Sequence, residues 1–220
     1  MHITVTPSPS PHPQPSMWSA RVENSSLLPH YVYTPAVTAQ VPVSRRLPLV
    51  IWLHGGVWVI RGRDPGGIEP ELPQLAFHRP EHQARHPCFL LRPIALTRKH
   101  WISPLGPKTG SHVLRARPSA SLKRLLKLID VVLEMHQDRI DKERLILAGA
   151  SMGAYGVWDL LGRSGIPFKF AAALPVSGGG DPTTVSRMAG TRIWAFHSRQ
   201  DGQVPVNASR DSAHSNKSNP

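Results

Sequence analysis

Serine is a weak nucleophile until a base takes its proton and the backbone presents its oxygen. The segment Gly149-Ala150-Ser151-Met152-Gly153 has the pattern that does the presenting. It follows an apolar run, Leu145-Ile146-Leu147, and precedes a helical pattern, so Ser151 is predicted on a sharp strand-to-helix turn. Glycine two places before and two places after the serine suits such a turn, because strand and helix backbones come close there. The helix start adds a positive dipole end where negative charge would develop on an attacked carbonyl. The chemistry implied is acyl transfer through a covalent serine.

A second segment, Leu53-His54-Gly55-Gly56, closes another apolar run. A loop there can aim a backbone N–H at the oxygen of a tetrahedral intermediate, alongside the N–H of Met152. Gly56 is the expected donor and Val57 the alternative. His54 has two readings, catalytic base or brace for the loop, and the brace is the favoured one. A third segment, residues 193–201, runs from Ile193-Trp194-Ala195-Phe196 through His197 to Asp201. A serine on such a turn is followed in the chain by an acid and then a histidine. Asp201 stands where that acid belongs, with about one strand–helix unit between it and Ser151. Asp181, after Gly178-Gly179-Gly180, is the competitor, expected to shape the pocket floor instead.

These residues need a scaffold, and the pattern supplies one. Leu49-Val50-Ile51-Trp52-Leu53 is continuous and apolar, as in a strand buried on both faces. Strands are also predicted at residues 88–91, 144–148, 171–176 and 193–196. A helix is predicted from Ser121, because Leu122, Leu125, Leu126, Ile129, Leu133 and His136 recur at helical spacing. A second helix is predicted over residues 152–161. Strands alternating with helices argue for an α/β fold with a mostly parallel sheet. The Pro- and Gly-bearing stretches 62–87 and 97–118 read as loops. Residues 1–20 read as a disordered Pro/Ser-rich start, 21–206 as the folded domain, and 207–220 as a frayed polar tail.

Composition narrows the classes. The 220 residues carry 26 Lys and Arg against 14 Asp and Glu, a net charge of +12, yet only 18% are charged and 40% are hydrophobic. That is enough apolar material for a core and too little charge for a disordered polyelectrolyte. Aromatics are only 6% and the Arg residues are scattered, so nucleic-acid binding is not expected. Cys88 is the sole cysteine, which excludes an internal disulfide framework and a Cys-based zinc cluster. No apolar run nears the ~20 residues of a membrane span. No secretory signal is visible either, so the default location is the cytoplasm.

The segments LPLVIWLHGG, HPCFLL, RIDKERLILAGASMGAYGVWDLL, FAAALPVSGGGDP and RIWAFHSRQDGQVPV resemble the α/β-hydrolase superfamily. More narrowly, they are similar to bacterial phospholipase/carboxylesterase-like proteins related to dienelactone hydrolase and prolyl oligopeptidase. The resemblance covers roughly residues 31–210. It implies a three-layer α/β sandwich and a Ser-Asp-His hydrolase of carboxylic esters with no cofactor or metal, whose partner is a small ester substrate. By position it assigns Ser151 as nucleophile, Asp201 as acid, and Gly56 with Met152 as oxyanion hole.

The sequence departs from that pattern in two places. Relatives usually carry glycine where this chain has Ser198. They also place the catalytic histidine after one more helix and strand beyond the acid, a stretch of roughly 25 to 40 residues. Here only Gly202 to Pro220 follow Asp201. The expectation is therefore a fold lacking its last helix–strand unit, as in a truncated chain. His214 is the remaining candidate for a weak base. Two alternatives stand beside the esterase: a catalytically impaired homologue, and a basic protein binding anionic polymers or surfaces. The strand at residues 193–196 would become an apolar sheet edge open to self-association.

Overall fold

In strand β3 (Leu47–Leu53) every residue except Pro48 is buried, so the unbroken apolar run does mean cover on both faces. The computed structural model of the chain describes residues 17–21, 26–38, 41–56, 77–96, 100–102 and 112–214. In it, β3 is the middle strand of a seven-stranded sheet. The other strands are β1 (Met17–Arg21), β2 (His30–Thr34), β4 (Phe89–Pro93), β5 (Ile140–Ala150), β6 (Phe170–Val176) and β7 (Arg192–Ile193). Their spatial order is β1-β2-β4-β3-β5-β6-β7. β1, β2 and β4 pair antiparallel. The five strands from β4 across to β7 are parallel, as the alternating pattern requires.

Alternation along the strands builds two cores. Leu49, Ile51 and Leu53 meet Leu145 and Leu147 in the larger one. There they pack with helices α2 (Ala120–Met135) and α3 (Met152–Leu161). Val50 and Trp52 point the other way, into a smaller cluster with Leu90, Ala148 and Cys88. Helix α1 (Pro80–Arg85) stands on that side, tied to Cys88 through Gln83. Every residue of α3 is buried, consistent with a helix that is apolar nearly all round. Predicted and observed bounds of α3 coincide. In α2 the buried stripe adds Leu128 and Val132, while Leu126 is only half-buried and His136 is the C-cap.

Several expectations are corrected. Met17–Ala20, placed in the disordered start, form β1 together with Arg21, because this backbone pairs residue by residue with His30–Thr34. Part of the stretch read as a 62–87 loop is helix α1, opened by Pro80 at its first turn. Strand β5 starts at Ile140 rather than Arg144: Ile140 pairs with Leu47, and the intervening Lys142, Glu143 and Arg144 face solvent. The strand expected over residues 193–196 joins the ladder only at Arg192–Ile193. Beyond it the Trp194 and Phe196 N–H groups still donate to Ala173 and Pro175 on β6. Trp194 and Phe196 are exposed and lie against each other, ring centroids 4.8 Å apart. The tail is not frayed over its first half, since Asn207–His214 forms helix α4.

Helix α2 begins with a cap that also serves a neighbouring loop. The Ser119 hydroxyl accepts from the Leu122 N–H at 3.0 Å and donates to the Trp101 carbonyl at 2.5 Å. Ser119→Ala should therefore lower stability by about 0.5–2 kcal/mol, measured by urea unfolding. It should also loosen Trp101, seen as a red-shifted tryptophan emission in the folded protein.

Candidate active site

Ser151 lies between the end of β5 and the start of α3 with φ 52° and ψ −116°. It is one of two non-glycine residues with positive φ among the described residues, the other being Ser177. Such backbone costs on the order of 1–3 kcal/mol and persists only where surroundings impose it. Here the surroundings are three backbones in contact. A Cβ on Gly153 would sit on the Leu53 carbonyl oxygen of β3, and one on Gly149 would lie 2.7 Å from the Gly153 carbonyl. The turn is then locked by hydrogen bonds: the Ser151 N–H donates to Val176 O at 2.8 Å, and Ser151 O accepts from the Tyr155 N–H at 3.2 Å. Although Ser151 occupies the N-cap position of α3, its hydroxyl makes no capping bond. The oxygen is left for other chemistry.

The loop after β3 lies over this turn. A Cβ on Gly55 would be 3.4 Å from Ala150 O and 3.7 Å from the Ser151 Cβ, and one on Gly56 would be 4.0 Å from the Met152 Cβ. Gly56 and Met152 are thus brought side by side. Met152 is the first residue of α3, so its N–H has no acceptor within the helix. Val57 lies outside the described residues.

His54 is a brace. Its Nδ1–H donates to Gly55 O at 2.8 Å, and its Nε2 accepts from the Ala95 N–H at 3.0 Å. Burial pushes its pKa below the usual value, so the imidazole is neutral with both nitrogens committed. Its carbonyl accepts from the Trp101 indole N–H at 3.0 Å. These contacts join the ends of β3 and β4 and the Trp101 segment beside the elbow.

Asp201 reaches the same end of the sheet. Its Oδ1 accepts from the Val204 and Gln203 N–H groups, each at 2.9 Å. These two donors, with a further bond from the Ser177 hydroxyl, hold the carboxyl below its usual range. Ser177 directly follows Val176, the acceptor for the Ser151 N–H. Its own N–H donates to Phe196 O. Asp181 does something else. It caps the 3₁₀ helix Pro182–Met188 by accepting from the Thr183 N–H, and it anchors the Leu114 N–H at 2.8 Å.

Two further histidines stand nearby. His197 Nε2–H donates to Val204 O at 2.9 Å and lies 3.6 Å from Asp201 Oδ2, while Nδ1 contacts the Ser209 hydroxyl at 2.7 Å. Both its nitrogens are engaged. Ser209 also donates to Gly178 O, and Ser212 accepts from the Gly180 N–H, so α4 is stitched to the loop after β6. Helix α4 includes His214, whose side chain lies outside the described residues. His100 was not singled out from the sequence, yet its Nδ1 lies 2.9 Å from the Met152 sulfur. A thioether only accepts, so that contact puts the proton on Nδ1 and the lone pair on Nε2. The adjacent Trp101, fully buried, is the only signal that could have pointed to this segment.

The fold recurs in known structures. A thermostable esterase superposes with TM-score 0.68 and 28% identity over 91% of this chain, which spans 51% of that protein. The chain has the fold of the α/β-hydrolases and is similar to carboxylesterase-like members of that superfamily. A lipase/esterase from Lactobacillus plantarum shares the fold with TM-score 0.58 and 13% identity, over 90% of this chain and 84% of its own. The acylaminoacyl peptidase of Pyrococcus horikoshii does so with TM-score 0.59 and 14% identity, over 92% of this chain and 35% of its own. The chain thus spans about half of the thermostable esterase and a third of the peptidase. No family model matches it, and no curated protein does.

Two outcomes test the geometry of the candidate site. Gly153→Val must displace the Leu53 backbone, so it should cost at least the ~1–3 kcal/mol of an overpacked site. Ser151→Ala should unfold within ~0.5 kcal/mol of wild type in the same urea titration. The second outcome concerns pH. A carboxyl held below its unfolded value adds stability that is present above the unfolded pKa and lost as pH falls through the folded one. Asp201→Asn should therefore be less stable than wild type at pH 6, and the gap should close below about pH 4.

Proposed function

We propose that the chain is a serine hydrolase of carboxylic esters, carboxylesterase- or phospholipase-like, working through an acyl-enzyme on Ser151. The observation that carries this reading is the strained φ of Ser151 between glycines that admit no side chain, with its hydroxyl unused in capping. Ser151 Oγ attacks the acyl carbon and its proton passes to an imidazole base. The carbonyl π electrons move onto oxygen, where the N–H groups of Gly56 and Met152 receive them. Collapse expels the alcohol, which takes the proton back, and water then repeats the sequence to release the acid. Asp201, ionised by its backbone donors, orients the base and offsets its charge. Short acyl or aryl esters fit better than long lipids, because the sequence carries no amphipathic lid pattern.

A specific observation favours a second reading, a hydrolase relative with impaired turnover. The imidazole nearest Asp201 among the described side chains, His197, has both nitrogens spent on Val204 and Ser209. Base candidates are then His214 by chain order and His100 by its contact with Met152.

One experiment separates the readings. Wild type should take up one fluorophosphonate per chain and hydrolyse 4-nitrophenyl acetate, and Ser151→Ala should do neither. Labelling without turnover selects the impaired relative. Equal behaviour of wild type and Ser151→Ala in both assays removes the serine-hydrolase reading. His100→Ala and His214→Ala then report which imidazole takes the proton, expected as a loss of about 10²–10⁴ in kcat for the one that does.

A further inference from the structure

Strand β7 ends the sheet, with no described strand beyond it. From Arg192 to Phe196 its residues alternate. Ile193 and Ala195 pack against the larger core. Trp194 and Phe196 point to the opposite face, where Trp194 is 70% and Phe196 42% exposed. Their neighbours on β6, Leu174 and Val176, are only half-buried. The helix described on that face, α1, stands beside Cys88 before β4. β4 is four strands away from β7, or roughly 19 Å at ~4.8 Å per strand. Among the described residues no helix covers the two rings.

The backbone of this segment alternates as well. The N–H groups of Trp194 and Phe196 donate to Ala173 and Pro175 on β6, and Phe196 O accepts from the Ser177 N–H. The N–H and C=O groups of Ile193, Ala195 and His197 therefore face away from β6. They form an outward set of three residues centred on Ala195. Edge strands are usually blunted by a charged side chain or a proline, because an open row of backbone groups is a template for another strand. Ile193-Trp194-Ala195-Phe196 holds neither. The net charge of +12 is thus kept off the four residues where a partner strand would lie.

We propose that this edge binds a second copy of the chain, β7 against β7 in an antiparallel pair whose twofold axis passes at Ala195. The outward set selects the copy, because it maps onto itself when reversed. Ala195 exchanges both hydrogen bonds with the partner's Ala195, and Ile193 does so with the partner's His197. The same register sets Trp194 across from the partner's Phe196, and Phe196 across from the partner's Trp194. Cross-strand aromatic pairs of this kind stabilise a sheet, and here they form on the face where both rings lack cover. The two side chains already fit one another within one chain, with centroids 4.8 Å apart. Each ring can bury about 150–250 Å², so the contact stays below the ~1,200 Å² that marks weak, reversible complexes. The dimer does not depend on the esterase reading, since Ser151 takes no part in it.

The test is sedimentation equilibrium of the full chain at about 150 mM salt, where long-range charge repulsion is screened. Monomer and dimer should exchange within a range of ~1–500 µM, as a small interface requires. Trp194→Lys changes an exposed side chain, and Ala195→Pro removes an outward N–H that β6 does not use. Thermal melting checks that both variants fold. Each should weaken the dimer about tenfold or more. Val43→Lys puts the same charge on an exposed apolar residue elsewhere, and it should leave the dimer unchanged, as should Ser151→Ala. Hydrogen exchange read by mass spectrometry should slow over residues 193–197 as concentration rises. A monomer throughout the range would overturn the proposal and leave the edge to a strand of another protein. Equal effects of Val43→Lys and Trp194→Lys, or exchange over residues 193–197 that ignores concentration, would overturn it too.

Discussion

Three backbones meet at one point, and the rest of the arrangement depends on it. The Leu53 carbonyl at the end of β3, the Gly149 Cα at the end of β5 and Gly153 in the first turn of α3 leave no room for a Cβ between them. Because β3 and β5 pair in parallel up to Leu53 and Gly149, the helix must turn back across the strand pair immediately. That forces positive φ on the residue at the apex. Glycine would take this φ without cost, yet the apex is Ser151. A fold optimised for stability alone would not put a side chain there. The energy for the strain comes from the packed α3, buried on every side.

The same end of the sheet is closed by a second tight contact. A Cβ on Gly178 would meet Ala154 at 2.6 Å, on Gly179 the Ala208 carbonyl at 2.6 Å, and on Gly180 the Trp158 Cβ at 2.7 Å. The loop after β6 is therefore pressed between α3 and α4. Ser209 and Ser212 complete the join, which explains how a segment as polar as Asn207–His214 can pack. This loop begins with Ser177, whose N–H donates to Phe196 O at the head of the acid loop. The acid is thus located relative to the elbow by backbone packing rather than by a long side chain finding its partner.

What was legible in the sequence follows from burial. β3 and α3 could be read because every residue faces protein, so an unbroken apolar run carries the signal. The turn at Ser151 could be read because close backbone approach demands glycine at fixed offsets, whereas the role of Asp201 belongs to the proposed reaction. Strand β1 was not legible, since it is held by backbone pairing with β2 along MWSAR, a segment with no apolar run. The first half of β5 was hidden because Lys142, Glu143 and Arg144 face water in the register break between the Ile140 and Leu145 pairings. Helix α4 was hidden because its buried residues are Ala208, Ser209 and Ser212. Hydroxyls bonded to loop carbonyls and amides leave no hydrophobic periodicity. His100 was hidden because its contact partner is a distant sulfur.

The histidines show why residue type alone could not assign the base. An imidazole has two nitrogens, and a general base needs one of them free and the other held. His54 spends one on Gly55 O and one on the Ala95 N–H. His197 spends them on Val204 and Ser209. His112, buried with Asp159 and Arg163, gives Nε2 to that carboxylate. All three work as struts that keep the ends of strands, the acid loop and residues 112–115 in register with α3. Their value lies in being short, rigid and able to both donate and accept. His100 differs in that its held nitrogen rests on the thioether of Met152, the residue whose N–H faces the developing oxyanion in the proposed reaction. A sulfur acceptor binds weakly compared with a carbonyl. That imidazole is accordingly the one whose position beside the elbow is least committed to holding the fold together.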